Sequence, residues 1–407
     1  MEKHPNDASL KRPSSPAVRG RFETAVWAAD FARDAGGRGA AREYEAFIPD
    51  PIAKLDVAVE GATAALSERA GAAVRELSAS EPKLISLEGL ARQLLRSEAL
   101  ASSRIEGLSL SHRKLAQAEL EGHGEHTALE VLGNIRAMEK GVAVGTSPDL
   151  ITTADIADIH LKLAIVPPLD KIAGQIRQEQ SWIGGADPPN ADYVGPPPAY
   201  LPALLADLCE FMNRDDVSAV SQAAIAHAQF ELIHPFGDGN GRVGRCLIHV
   251  LFKRRGVSPH YVPPVSLILG ANKDAYIAGL NDFQAGRLDD WIGQFARATE
   301  AAASKASAFS DRVSGLQETW RERLGGVRSD AASLAILDLL PSFPFITTRV
   351  VRELAGRSDV AALRGLAQLE SSGVLTRHRS KRKGDSWEAK ELFRVLAEFE
   401  EEVRTPS

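Results

Sequence analysis

Twelve residues near the middle of the chain, His234-Pro-Phe-Gly-Asp-Gly-Asn-Gly-Arg-Val-Gly-Arg245, constrain the fold more than any other feature. Gly237, Gly239 and Gly241 alternate through them, between two apolar stretches, 218–233 and 243–252, that repeat at helical spacing. Two helices must therefore meet through a loop whose backbone only glycine adopts easily. Glycine permits positive φ and close approach, so successive N–H groups can converge into an anion cradle. The following helix aims its N-terminal N–H groups and dipole at the same place. Arg242 and Arg245 fall in its first turn, where a cation is unfavourable unless an anion binds beside it. Asp238 offers one hard carboxylate, the usual way Mg²⁺ is held beside substrate phosphates. His234 is the natural proton acceptor, histidine being the residue type that changes charge near neutral pH. Taken singly, Asp-Gly and Asn-Gly are common turn dipeptides and His-Pro often just ends a helix. Together within twelve positions they describe nucleotidyl or phosphoryl transfer. This is not a Walker A loop, because no Gly-Lys-Ser/Thr follows and no strand precedes it.

Around the loop the pattern is helical. Amphipathic spacing runs over 56–76 and 86–100, and 127–142 places Leu129, Leu132, Ile135 and Met138 on one stripe. Thr127 with Glu130 has the form of a capping box, and Thr153 that of a cap for the next helix. Residues 181–198, rich in Gly and Pro, suggest a short hairpin or loop. Helices resume at 201–211 and 289–299. The expected architecture is all-α with small β additions. The expected divisions are a flexible N-terminal arm (1–40), a helical region (41–145), a core (146–300), a charged helical connector (301–329) and a C-terminal module (330–400).

Composition narrows the classes. Lys plus Arg total 48 against 54 Asp plus Glu, a net of -6, so no chain-wide basic balance points to nucleic acid. The two cysteines, Cys209 and Cys246, lie in apolar helical patterns, which rules out a disulfide framework and suits a reducing cytoplasm. No 18-residue apolar run and no signal-like start are present, so a cytoplasmic protein without a membrane segment is expected.

The loop matches the Fic signature, His-Pro-Phe-x-(Asp/Glu)-Gly-Asn-Gly-Arg-x-x-Arg, at every specified position, and the chain resembles the Fic-domain protein adenylyltransferases from about residue 44 to about 298. The resemblance implies a Fic fold that uses ATP and Mg²⁺ to place AMP on a Ser, Thr or Tyr hydroxyl of a target protein. It implies that His234 deprotonates that hydroxyl and that Asp238 binds Mg²⁺. Gly237, Gly239, Asn240, Gly241 and Arg242 would line the phosphates, Arg245 would take the γ-phosphate, and Phe236 would pin the loop. Residues 178–185 (QEQSWIGG) look like the family's flap, with Ser181, Trp182, Ile183 and Gly184 docking the target as an added strand. Asn272, Tyr276 and Asn281 lie where the family lines its adenine pocket, although Ile277 stands where a second tyrosine is frequent.

Ser102-Ser-Arg-Ile-Glu106-Gly107 resembles the family's autoinhibitory motif. Ser102 and Glu106 are one helical turn apart and share a face, so the carboxylate could pair with Arg245 and displace the γ-phosphate. In some relatives the same glutamate helps remove AMP, which makes removal a second expected activity. Downstream, three short helical patterns precede a strand-turn-strand whose stretch 377–383 holds five Lys or Arg. This order looks like a winged helix with 358–372 in the recognition position. It leaves two alternatives open: a DNA-contacting wing, with a DNA-binding regulator carrying a vestigial Fic domain as the rival reading, or a module for dimerisation or target docking.

Overall fold

The structure is a computed structural model that describes residues 19–27, 41–79, 87–379 and 384–404. It opens with a hairpin that periodicity did not suggest. Strand β1 (Gly20–Trp27) pairs antiparallel along its whole length with β2 (Arg42–Pro49). Part of the expected N-terminal arm is therefore ordered strand, while 1–18 and 28–40 lie outside the described residues. The far half of β2, Ala46 to Pro49, is buried, and the Phe47 ring packs at a tilt against Phe22 and Tyr193.

Five helices follow: α1 (Gly61–Ala79), α2 (Leu87–Ile105), α3 (His112–Glu121), α4 (His126–Thr146) and α5 (Thr153–Leu163). Two expected caps shift. Helix α4 starts at His126 behind Glu125 with no side-chain cap, so Thr127 and Glu130 form no capping box. At α5 the cap is Thr152, one residue before Thr153. Its hydroxyl accepts from Asp155 N–H while Asp155 accepts from Thr152 N–H.

A short antiparallel flap, β3 (Trp182–Ile183) with β4 (Tyr193–Val194), precedes α6 (Leu201–Met212) and α7 (Ala219–Ile233). Then come α8 (Asn240–Arg254), α9 (Val265–Ala271), α10 (Lys273–Gln284) and α11 (Leu288–Leu324). Every residue of α7 from Val220 to Ile233 is buried, polar ones included, because α1, α6, α8, α11 and β2 all pack on it. A helix enclosed on every side is the axis of the fold rather than an amphipathic cover.

The C-terminal unit runs α12 (Ala332–Leu339), β5 (Phe345–Ile346), α13 (Thr348–Ala355), α14 (Asp359–Ser371), β6 (Thr376–His378), β7 (Ser386–Glu388) and α15 (Lys390–Arg404). Its sheet order is β5-β7-β6, antiparallel throughout. Thr347 and Ser358 cap α13 and α14 through Val350 N–H and Ala361 N–H. The basic hairpin tip, with Lys381, Arg382 and Lys383, lies outside the described residues.

The boundary expected at residue 300 falls inside one unbroken helix of 37 residues, α11. Its buried stripe continues through Ala302, Ala306, Phe309, Val313 and Trp320 into a second apolar cluster. That cluster holds Leu90 and Leu94 of α2, Ala116 of α3, and Leu366 and Phe399 of the C-terminal unit. Polar ties cross the same seam. Gln93 and Arg96 donate to the carbonyls of Pro341 and Ser342, Arg113 forks onto Glu388, and Arg104 reaches Glu400 at 2.7 Å. The charged residues that read as a solvated connector occupy the outer side of a helix whose inner side is core.

Candidate active site

The loop begins where α7 must end. His234 precedes a proline, which disfavours helical backbone at that residue. It adopts φ 47° and ψ 60°, and is the one non-glycine residue with positive φ among those described. Its N–H still closes the helix on Phe230 O at 2.9 Å. The imidazole Nδ1 lies 3.3 Å from Glu231 O. A carbonyl only accepts, so this contact puts the proton on Nδ1 and the lone pair on Nε2.

Three side chains hold the loop. Phe236 is fully buried and stacks on His160, with ring centroids 3.9 Å apart and planes 6° from parallel. Asn240 bridges back to Phe236, accepting its N–H and donating to its carbonyl, both at 2.9 Å. Its amide oxygen and one amide N–H are therefore spent on the loop. His160 accepts Gly174 N–H at Nδ1, which leaves Nε2–H to donate to Asp238 O at 3.1 Å. Burial pushes its pKa down to about 4, so the ring stays in that neutral form.

Asp238 is exposed beside this support and accepts Gly239 N–H at 2.5 Å. Gly239 has φ 80°, and a Cβ there would press into Leu163. Among the described residues no group of three or more His, Cys, Asp or Glu is arranged to hold a metal. One accessible carboxylate beside a phosphate cradle nevertheless fits Mg²⁺, which takes few protein ligands and completes its shell with substrate phosphates and water.

At the start of α8, backbone N–H groups lack intrahelical partners. Arg242 is buried, and its Nε and Nη1 donate no hydrogen bond; Glu130 and Asp238 stand 3.8 and 3.9 Å away. Buried unmatched guanidinium nitrogens are what an absent anion would leave behind. Gly244 packs against α7, where a Cβ would collide with Glu231 and Phe230.

Arg245, 1% exposed, donates to Ser102 Oγ at 2.9 Å, Ser102 O at 2.8 Å and Glu106 Oε1 at 2.5 Å. Burial works to raise the Glu106 pKa, but the cations Arg245, Arg242 and Lys273 hold it below the usual carboxylate value. A Cβ on Gly241 would overlap the Glu106 carboxylate, so Glu106 fills the space directly over the cradle. Lys273 caps the end of α2 on Ile105 O at 2.8 Å.

The remaining expected residues are less concentrated. Ser181, Trp182, Ile183 and Gly184 do lie on or beside the flap, and Gly184 has φ 70°. Asn272 caps α10 by accepting Ala275 N–H. Tyr276 is 2% exposed, with its hydroxyl 2.7 Å from His227 Nε2. Asn281 lies further along α10. Arg177, His160 and Lys273 went unremarked in the sequence, where none of them belongs to a motif.

Residues 150–252 match the Fic/DOC family model, and residues 64–143 match the model of the Fic/DOC family N-terminal region. Over 161 residues the chain is 30% identical to protein adenylyltransferase fic-1 of Caenorhabditis elegans, covering 39% of this chain and 29% of that protein. Over 138 residues it is 33% identical to protein adenylyltransferase Fic of Drosophila erecta, covering 33% and 26%. The chain thus spans less than a third of the length of these curated relatives. The crystal structure of a Fic family protein from Desulfovibrio desulfuricans G20 shares the fold, with a TM-score of 0.51 at 19% identity, over 82% of this chain and 97% of that one.

Proposed function

We propose that this chain, whose residues 64–143 and 150–252 match the Fic/DOC family models, is a protein adenylyltransferase of that family, with ATP as donor and a hydroxyl side chain of a protein as acceptor. The observation that carries this is the unbroken loop. His234, the first N–H groups of α8 and the unmatched buried donors of Arg242 all belong to one twelve-residue stretch, the loop and the helix it opens. The hydroxyl oxygen attacks the α-phosphorus, and its proton passes to His234 Nε2. The bond from the α-phosphorus to its bridging oxygen breaks, and pyrophosphate leaves. Asp238 would hold Mg²⁺, whose charge supports the phosphates when bound. The backbone of Gly239, Asn240 and Gly241 receives phosphate oxygens.

Glu106 opposes this by occupying Arg245 and the space over Gly241, so the enzyme is self-inhibited. Removal of AMP by the same site, with Glu106 orienting water, belongs to the same reading. The C-terminal unit has the element order of a winged helix. The outward side of α14 presents Val360 and Leu363 beside Arg364, few polar groups for base edges, which favours a role within the protein over sequence-specific DNA contact. The test is incubation with α-labelled and γ-labelled ATP. Label entering protein from the α position alone fits the proposal. Label from the γ position makes it a kinase, and none from either, in wild type and in Glu106→Gly, overturns it.

A further inference from the structure

Arg177 stands just before the flap and is 7% exposed. Its fork makes three hydrogen bonds, all to carbonyls: Nε to His234 O at 2.8 Å, Nη1 to Glu179 O at 2.7 Å and Nη2 to Pro196 O at 2.6 Å. Its own N–H donates to Pro235 O at 2.9 Å. Glu179 and Pro196 flank the two flap strands, and His234 and Pro235 are the first residues past α7. Burial lowers its pKa to about 10, partly offset by Tyr193 and Tyr44. A desolvated cation held by carbonyls alone, with no carboxylate among its hydrogen-bond partners in the described residues, is an unusual way to spend an arginine.

We infer that Arg177 is a positioning residue that locks the flap to the general base, so that a segment docked on the flap presents its hydroxyl to His234 in fixed register. The inference rests on the reading of His234 as that base. Its physical basis is the end of α7. The last carbonyls of a helix lack intrahelical donors, and the negative end of the dipole favours a cation there. Here the flap supplies the donors: Tyr193 Oη takes Leu232 O at 2.6 Å, and Arg177 takes the carbonyls of His234 and Pro235. The guanidinium is planar with fixed donor directions, so three carbonyls on one fork cannot move independently. His234 holds a backbone conformation that is costly for a residue with a Cβ, and such a residue persists only where neighbours over-determine it. Gln180 Nε2 on Gly195 O at 2.6 Å closes the flap base on the same side.

Lysine keeps the charge and loses the fork, so Arg177→Lys separates geometry from electrostatics, and Arg177→Gln removes both. Two readouts are needed. The first is amide hydrogen exchange of the full chain. Residues 178–196 and 230–236 should both exchange faster in Arg177→Lys, while α1 to α4 exchange as in wild type. Wild-type exchange in either segment overturns the coupling. The second is self-modification from α-labelled ATP in a Glu106→Gly background. There kcat should fall by about 100-fold, the usual effect of roughly 1 Å of misplacement, with KM for ATP unchanged. A rise in that KM with kcat intact overturns the positioning role. If Glu106→Gly alone transfers no AMP, the enzymatic reading fails by itself, and the exchange result still decides whether flap and base are joined.

Discussion

The Glu106 carboxylate and the Arg245 guanidinium meet at 2.5 Å, one reaching from the turn just past the end of α2 and the other from the first turns of α8. The guanidinium is buried and the carboxylate half-buried, and Ser102 supplies the arginine with two further acceptors. Glu106→Gly should raise AMP transfer from α-labelled ATP strongly, by roughly one to three kcal/mol of relieved competition. Glu106→Asp withdraws the carboxylate by one methylene and should activate in part. Arg245→Ala added to Glu106→Gly should erase the gain. No increase in Glu106→Gly would show that the pair only holds two helices together.

His234→Ala should abolish label transfer and leave calorimetric ATP affinity in place. Loss of a general base typically slows a reaction by on the order of 10²–10⁴. Phe236 and Asn240 keep the loop closed without the imidazole, so the melting temperature should change little.

Glu400 lies between Arg104 at 2.7 Å and His112 at 2.9 Å. Burial works to raise its pKa, but the adjoining His112 ring and the bond from Arg104 hold it down to about 2. A carboxylate depressed in the folded chain stabilises above its unfolded pKa and loses that contribution as pH falls through its folded pKa. Stability should therefore drain between about pH 4.5 and about pH 2, by on the order of 3 kcal/mol. Glu400→Gln should flatten this part of a melting-temperature profile. An unchanged acid limb would mean that other carboxylates govern it.

A chain ending near Thr299 should be markedly less stable than the full protein. It would strip Phe309, Val313, Trp320 and the C-terminal unit from Leu90 and Leu94 of α2. Trp320→Ala, which removes one fully buried ring, should cost about 3–5 kcal/mol in denaturant unfolding. A truncated chain that melts like the full one would contradict the shared core.

What the sequence made legible was local. The loop is contiguous, and the helices beside it advertise themselves by period, so His234, Asp238 and Arg245 stand where spacing put them. The β1–β2 hairpin was hidden because its strands pair across residues 28–40, and neither carries a strict two-residue alternation. Caps missed by one residue, as at Thr152, because two threonines adjoin and only geometry selects one. Arg177 could not be read at all: its partners are carbonyls, which every residue carries, and the fold alone gathers them. The continuity of α11 was legible in principle from Ala302, Ala306, Phe309 and Val313. Its many charges drew attention to the wrong side.

That continuity has a geometric consequence. A single helix carries Trp291, in the apolar cluster around α7 and α8, and Trp320, in the cluster of the C-terminal unit, with no break between them. Each residue inserted or deleted along it would turn one end against the other by about 100° and slide it by about 1.5 Å. The two halves are thus keyed like parts on a common shaft. Relatives that keep both must preserve the number of residues between them, or change it only in steps that restore the same angle.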